Sequence, residues 1–565
     1  MNTSSDPRAQ ALRTAPIPQR TAPTVRADAP RATALLWQAL MLGVSGDALL
    51  RTGIQGPALT AWVAILALAI LSLTWQAGRR VPAEAGAWMA AALLFSALTI
   101  WRDAEILRGL DAVAAIGALG LAAVALRDER LALWAPRLRD TLWAGAAIVG
   151  STMRGIVPLA LRELFTTERG SARSHALRSA FRASLIVASL LIVFGSLLRS
   201  ADPIFASLVA LPDLDFGVVA SHLVVAGVFA WIAGGWAYGA LVADPAAHRA
   251  PDRLPFALGM LDVTTALGTL TALFATFMVA QLGWLFGGER FLRESTGLTA
   301  AEYARQGFFQ MVAVVALVVP LLLATRAMLR PDASVKRRHT VLSLPIVGLL
   351  GAIIVSAALR MRLYVHYYGL TTDRVSTLVF MGWLTFVLVL FAVTVLRDRG
   401  RPFVAGSVIS GLLTLVGLHV VVPDVVVARV NIERATRAPA SRDQALDIRN
   451  LTWLSGEAAE LAVAATLAPR STAAGDTVRA EVDAERCAAA LTLLSRWGPA
   501  SRTANERADD GAWRTWNAGE SHALRVVSDN AAALRRVQHE TCGAAAGAPR
   551  SETGSQPQPA SATAD

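Results

Sequence analysis

Residues Leu59 to Trp75 read LTAWVAILALAILSLTW, a run without a single charged side chain. It is close to the roughly 20 apolar residues that a helix needs to cross a bilayer. Trp75 closes it, where an amphipathic ring favours the headgroup layer. This run decides the fold class, because the chain repeats it from end to end. Comparable stretches run from Ala34 to Leu50, Ala85 to Trp101, Leu110 to Leu126, Leu142 to Leu161, Ala183 to Leu198, Phe216 to Val242, Phe256 to Gly287, Phe308 to Thr325, Val341 to Leu359, Val375 to Val395 and Pro402 to Val422. Short charged loops separate them.

Composition agrees with the pattern. Of 565 residues, 54% are hydrophobic and only 17% charged, against about 25% charged in a soluble domain. The mean hydropathy is +0.47. A soluble protein of this size could not hide so much apolar surface in a core. The expectation is an all-α, polytopic transmembrane helical bundle with a C-terminal soluble helical domain. A disordered chain and a disulfide-framework protein are both excluded.

The span count turns on Leu142 to Leu161, which contains Arg154 and Pro158 and has basic residues on both flanks. If it spans, there are twelve crossings, and the basic loop Arg326 to Arg338 falls outside, against the positive-inside tendency. If it lies in the interface or re-enters, there are eleven, with the N-terminus cytoplasmic and the C-terminus periplasmic. The eleven-span reading puts 27 of the 53 Arg and Lys residues inside and 10 in external loops, leaving 16 in the C-terminal tail. The net charge of +11 is then a topology signal and needs no nucleic acid to explain it. Only one basic residue is a lysine, Lys336, and no glycine frame surrounds it, so amine and P-loop chemistry have no support.

The segmentation follows. Residues 1–32 read as a disordered, basic, Pro-rich cytoplasmic tail without the apolar core of a cleaved signal peptide. Residues 33–422 form the membrane domain, with 142–161 interfacial. Residues 423–542 form an extracytoplasmic helical domain with amphipathic stretches near Asp447 to Leu467, Val478 to Trp497 and Ala518 to Glu540. Residues 543–565 read as a disordered, low-complexity tail. Both cysteines, Cys487 and Cys542, fall in the C-terminal domain. A disulfide between them suits an oxidising compartment, and two ordinary thiols are the alternative.

No catalytic signature is present: no HExxH, GxSxG, CxxC, P-loop or dinucleotide fingerprint. The segment richest in chemistry is Arg360 to Arg374. Continued as helix, it places Arg360, Tyr364 and Tyr368 on one face. Gly369 then suits a left-handed helix stop, and Thr371 or Thr372 suits the next N-cap. One reading is an aromatic belt with snorkelling arginines at a tight turn. The other is a site in which Arg360, Arg362 and Arg374, with Tyr364 and Tyr368, engage an anionic group.

With Ala201-Asp202-Pro203-Ile204-Phe205-Ala206, Gly235-Trp236, Glu302 to Phe309, Met381-Gly382-Trp383, Val427-Ala428-Arg429-Val430-Asn431, Asp447 to Ser455 and Trp513-Arg514-Thr515-Trp516-Asn517, this segment makes the chain resemble a bacterial family of multi-pass membrane proteins. That family is known only as a domain of unknown function, of the 4173 type and related to the 4153 type. The resemblance runs from about residue 35 to 520. It implies an integral inner-membrane protein and supplies no activity; the Arg- and Pro-rich N-tail departs from the shared pattern.

The eleven-span topology gathers these motifs on the outer face. Glu302 and Arg305 stand one turn apart there, able to pair with each other or with the arginines at 360 and 362. His222, His366 and His419 map near outer helix ends, where they read as interfacial residues and not a metal site. Asp262 reads as the deepest acid, about two turns in from the cytoplasmic end of its helix, and would serve an ion or proton relay. Gly235 and Gly239 form a GxxxG whose plain meaning is close helix packing. The function expected is a non-enzymatic envelope binding, sensing or scaffold protein, without cofactor or metal, whose partners are the bilayer and a periplasmic protein or an anionic ligand. A transporter or channel using Asp262 is the alternative. A membrane enzyme using Glu302 as acid or base is a third class.

Overall fold

The computed structural model of the chain describes residues 29–127, 138–165, 183, 187, 190, 194, 216–244, 259–296, 308–329, 333–397, 401–437, 446–469, 476–500 and 512–545. The fold is all-α. Among the described residues, twelve helices are delimited before the C-terminal region: α1 (Ala32–Leu50), α2 (Gly56–Gln76), α3 (Ala83–Leu98), α4 (Glu105–Arg127), α5 (Leu138–Arg154), α6 (Ile156–Phe165), α7 (Phe216–Leu241), α8 (Met260–Thr296), α9 (Phe308–Ala327), α10 (Ala333–Tyr368), α11 (Thr372–Thr394) and α12 (Arg401–Val421). Eight of them, α1, α2, α4, α7, α8, α10, α11 and α12, are long and apolar enough to cross a membrane. Ala83–Leu98 and Gln310–Arg326 are shorter apolar helices. Most of the stretch from 183 to 198 lies outside the described residues.

The expected single segment from 142 to 161 is two helices, α5 and α6, broken at Gly155. A Cβ at Gly155 would overlap the ring of Tyr238 on α7. On the same face of α7, Gly235 lies against the Thr152 backbone and Gly239 against the Ser151 hydroxyl. The GxxxG of α7 therefore packs as its small residues dictate, by letting α5 approach its backbone closely.

Two apolar cores follow from the order of the helices. One joins α1 to α5 with α7, around Leu42, Ile70, Leu73, Leu126 and Leu241. The other joins α8 to α12, around Leu267, Leu322, Ile346, Leu350 and Phe391. A smaller cluster of Phe95, Leu107, Ala115, Leu415 and Leu418 ties α3 and α4 to α12. Polar atoms inside the bundle find helical carbonyls: Trp62 Nε1–H donates to Leu42 O at 3.1 Å and Trp236 Nε1–H to Leu119 O at 3.2 Å. Without water, such pairing is obligatory.

After α12 the chain turns sharply at Val422, whose φ of 52° is unusual for a β-branched residue. It enters α13 (Pro423–Arg437), then α14 (Ile448–Leu451), α15 (Ala459–Leu467), α16 (Asp476–Trp497), α17 (Ala518–Asp529) and α18 (Ala531–Ala545). Their core includes Leu451, Val463, Leu493, Trp497, Val527 and Leu534. Leu370, from the α10–α11 connector, belongs to the same cluster. α16 and α18 join Cys487 to Cys542, with Cα atoms 5.2 Å apart.

Candidate functional site

The C-terminal helices sit on the ends of the apolar helices, and among the described residues three connectors hold them there by hydrogen bonds. The first is Thr99 to Ala104, between α3 and α4. Asp103 is buried; its Oδ2 accepts from Gly456 N–H at 2.9 Å, and its own N–H donates to Glu457 Oε1 at 2.8 Å. Arg108, one turn into α4, stands 3.6 Å from the other Asp103 oxygen. Ala518 N–H, at the start of α17, donates to Ile100 O at 2.8 Å. The contact is close because Gly456 and Gly519 face each other: a Cβ on Gly456 would overlap the Gly519 carbonyl.

The second connector is the α12–α13 turn. Asp424 is buried, and it accepts from Ser455 N–H at 3.0 Å and from the Thr372 hydroxyl at 2.5 Å. The third is the α10–α11 turn, where Gly369 adopts φ 75° and ends α10, as its lack of a side chain permits. Thr371 is the N-cap of α11, accepting from Arg374 N–H. Asn431 on α13 clasps this turn in both directions, accepting from Leu370 N–H and donating to Leu370 O, each at 2.8 Å.

Charges converge on the first connector. Burial, then the Asp103 carboxylate, raises the Glu520 carboxyl above the ordinary glutamate range. Burial lowers the Arg496 guanidinium, against the attraction of Asp103, Glu520 and Asp424. Arg496 donates to Thr452 O and Leu454 O at 3.1 and 3.0 Å, and it lies 4.1 Å from the Trp497 ring centre. The carboxylates thus tie backbone amides of one layer to side chains of the other, an arrangement suited to fastening rather than to catalysis.

Next to Asp103, Arg102 points the other way. Its Nε and Nη2 donate to His419 O at the end of α12, at 3.1 and 2.6 Å. The His419 ring stacks on Trp101, with centroids 6.2 Å apart, and its Nε2 is 3.0 Å from Asp111 Oδ2. His419 and Asp111 are both fully buried.

Of the residues singled out from the sequence, Tyr364, Tyr368 and Arg374 come together and Arg360 turns away from them. Arg360 does not stack on Tyr364; it is buried between α8 and α10, donating to Gln281 Oε1 at 2.5 Å. Arg374 takes the stacking position instead, 4.0 Å above the Tyr364 ring, and also donates to Gly369 O. Tyr364 meets Tyr368 edge-on at 5.0 Å. Arg362 and Tyr368 are exposed. Glu302 and Arg305 lie outside the described residues. Asp262 is exposed in the first turn of α8, not two turns in, and accepts from Gly259 N–H at 2.9 Å as a local cap. His222 pairs with Asp47 at 2.5 Å. Among the described residues, no group of three His, Cys, Asp or Glu could hold a metal ion.

Sequence reading missed Asp103, Asp111 and Asp424. For Asp111 a signal existed: with Ala115, Ala118 and Ala122 it recurs at helical spacing on one small-residue face, and all four are buried. Asp103 and Asp424 carry no such mark, since acids at helix ends are ordinarily solvated.

The chain matches the family described as a domain of unknown function (DUF4153) over residues 89–465. The match is to the 4153 type and not to the 4173 type that the motifs resemble. The match takes in Asp103, Asp111, His419, Asp424 and Glu457, and it ends before α16, α17 and α18. No curated protein and no solved structure matches the chain. The chain belongs to the DUF4153 family, and it is an all-helical membrane protein.

Proposed function

We propose that this member of the DUF4153 family is a non-enzymatic inner-membrane protein in which eleven spans anchor an extracytoplasmic helical platform that binds or senses an envelope partner. The N-terminus is cytoplasmic in this reading. One observation carries it: Asp103, Asp424 and Asn431 fasten the C-terminal helices to the connectors by hydrogen bonds in both directions. A platform fastened at three points is built to hold a surface in place.

Two further features support the sidedness. At the opposite helix ends, Arg79 Nη2 donates to Leu126 O at 3.0 Å and Arg127 Nη2 to Asp244 O at 3.4 Å. The Lys336-Arg337-Arg338 cluster starts α10 at that end too, as the positive-inside tendency requires of a cytoplasmic face. The Cys487–Cys542 bridge suits an oxidising compartment on the platform side. The proposed partner is a periplasmic protein or an anionic ligand, met by Arg362, Tyr364, Tyr368 and Arg374.

The test is labelling of intact cells with a membrane-impermeant thiol reagent, with and without prior reduction, beside a C-terminal topology reporter. Reactivity that appears only after reduction, with an extracytoplasmic reporter signal, is the expected result. A cytoplasmic reporter signal with thiols shielded from the reagent would overturn the reading.

A further inference from the structure

Asp111 enters α4 six residues after Glu105, about 9 Å along the helix axis. It faces His419 two residues before the end of α12. On α4 and α12 the pair shares its faces with Leu107, Ala115 and Leu415 of an apolar cluster, and the Trp101 ring and the Arg102 guanidinium lie against His419. An ionisable pair in such a place is costly and calls for a functional account.

The hydrogen bonds determine where the protons are. His419 Nδ1 is 3.0 Å from Leu415 O, and a carbonyl only accepts, so Nδ1 carries a proton. Nε2 is 3.0 Å from Asp111 Oδ2. A bare ring nitrogen and a bare carboxylate would repel at that distance, so a second proton lies between them. Whether it sits on nitrogen or oxygen, the pair as a whole is neutral, which is the state an apolar site favours. The other oxygen, Asp111 Oδ1, is buried and has no hydrogen-bond partner among the described residues.

From this geometry we propose that Asp111 and His419 form a one-proton site inside the bundle, and that its occupancy sets how firmly the C-terminal platform is fastened. Release sends the shared proton to water on the platform side, leaving an Asp111 carboxylate and a neutral His419 protonated at Nδ1. The pair then carries one negative charge. Among the described residues a cation stands close by: Arg102, half-buried, whose guanidinium already lies on His419 O and 4.3 Å from the Trp101 ring centre. Drawn toward the new charge, Arg102 pulls on Asp103, the next residue, which holds Gly456 and Glu457. Among the described residues, Arg108, directed at Asp103, and Glu457 itself are further charged groups nearby. Release of the proton therefore loosens the first fastening. The inference deepens the reading above by naming a signal, and rests on it for the side to which the proton leaves.

The test uses the full chain in phosphatidylcholine nanodiscs. Infrared difference spectra across pH, with carbon-13-labelled aspartate, read protonation of Asp111. Amide exchange at Gly456 and Ala518, expressed as protection so that the intrinsic pH dependence cancels, reads the fastening. The wild type should show a carboxyl titration that vanishes in Asp111→Asn. Its protection should fall as that group deprotonates, by a factor within the roughly 5- to 150-fold range of ordinary coupling, and this fall should be absent in His419→Gln. Arg102→Gln, on the connector, should keep the titration and lose the response of protection. A titration that persists in Asp111→Asn overturns the proton site. Protection profiles that coincide between wild type and either Arg102→Gln or His419→Gln overturn the coupling. Neither result depends on topology, so failure here is distinct from failure of the thiol-labelling test.

Discussion

Replacing Asp103 by alanine removes one carboxylate that serves both layers at once. Its Oδ2 accepts from Gly456 N–H at 2.9 Å, a bond to a charged acceptor, and losing such a bond costs about 1.5–3 kcal/mol. Arg108 at 3.6 Å is a partly exposed ion-pair partner, with 19% of its side chain accessible, and contributes about 0–1 kcal/mol more. The bond from Asp103 N–H to Glu457 survives, since it belongs to the backbone. A total of about 1.5–4 kcal/mol weakens the fastening roughly 10- to 900-fold. Ala518 is the appropriate reporter, because its amide bonds to Ile100 O and not to Asp103. Amide exchange on the full chain in nanodiscs should therefore show its protection falling by that factor. Asp103→Asn keeps an acceptor oxygen and loses only the charge, so it should cost about 1 kcal/mol. Unchanged Ala518 protection in Asp103→Ala, or equal losses in the alanine and asparagine variants, would refute the reasoning.

Three further outcomes are expected. Gly456→Ala forces a methyl against the Gly519 carbonyl, and should destabilise the platform by about 1–3 kcal/mol, read as a lower midpoint in its thermal unfolding. Reducing the Cys487–Cys542 bridge, which closes a loop of 55 residues, should cost about 4 kcal/mol by chain entropy; calorimetry with and without reductant checks this, and equal midpoints would exclude it. Glu520 holds its proton more tightly folded than unfolded, so its contribution to stability is present below the unfolded value of about 4.3 and is lost as pH rises through the folded value. Glu520→Gln should remove that loss, raising the unfolding midpoint of the platform at neutral pH relative to the wild type and leaving it little changed below pH 4.

Local features were legible in the residues. Gly369 and Thr371 stop α10 and cap α11 as their chemistry requires, and Gly235 and Gly239 mark the close approach of α5. Where reading failed, rotation about a helix axis was the reason. Arg360 shares a helical stripe with Tyr364, yet the packing of α8 turns it toward Gln281, and Arg374 occupies the aromatic face. Asp262 stands in an apolar stretch, but α8 begins at Met260, so the carboxylate caps its own helix start.

Apolar run lengths were enough to determine an all-helical membrane protein, because burial of apolar surface and pairing of backbone groups act on the local chain. The tertiary structure alone decided the junction. Asp103 meets Gly456 across 353 positions, and His419 meets Asp111 across 308. Such partners come together only when the packing of several helices sets their rotation and depth, and no periodicity in one chain records that geometry.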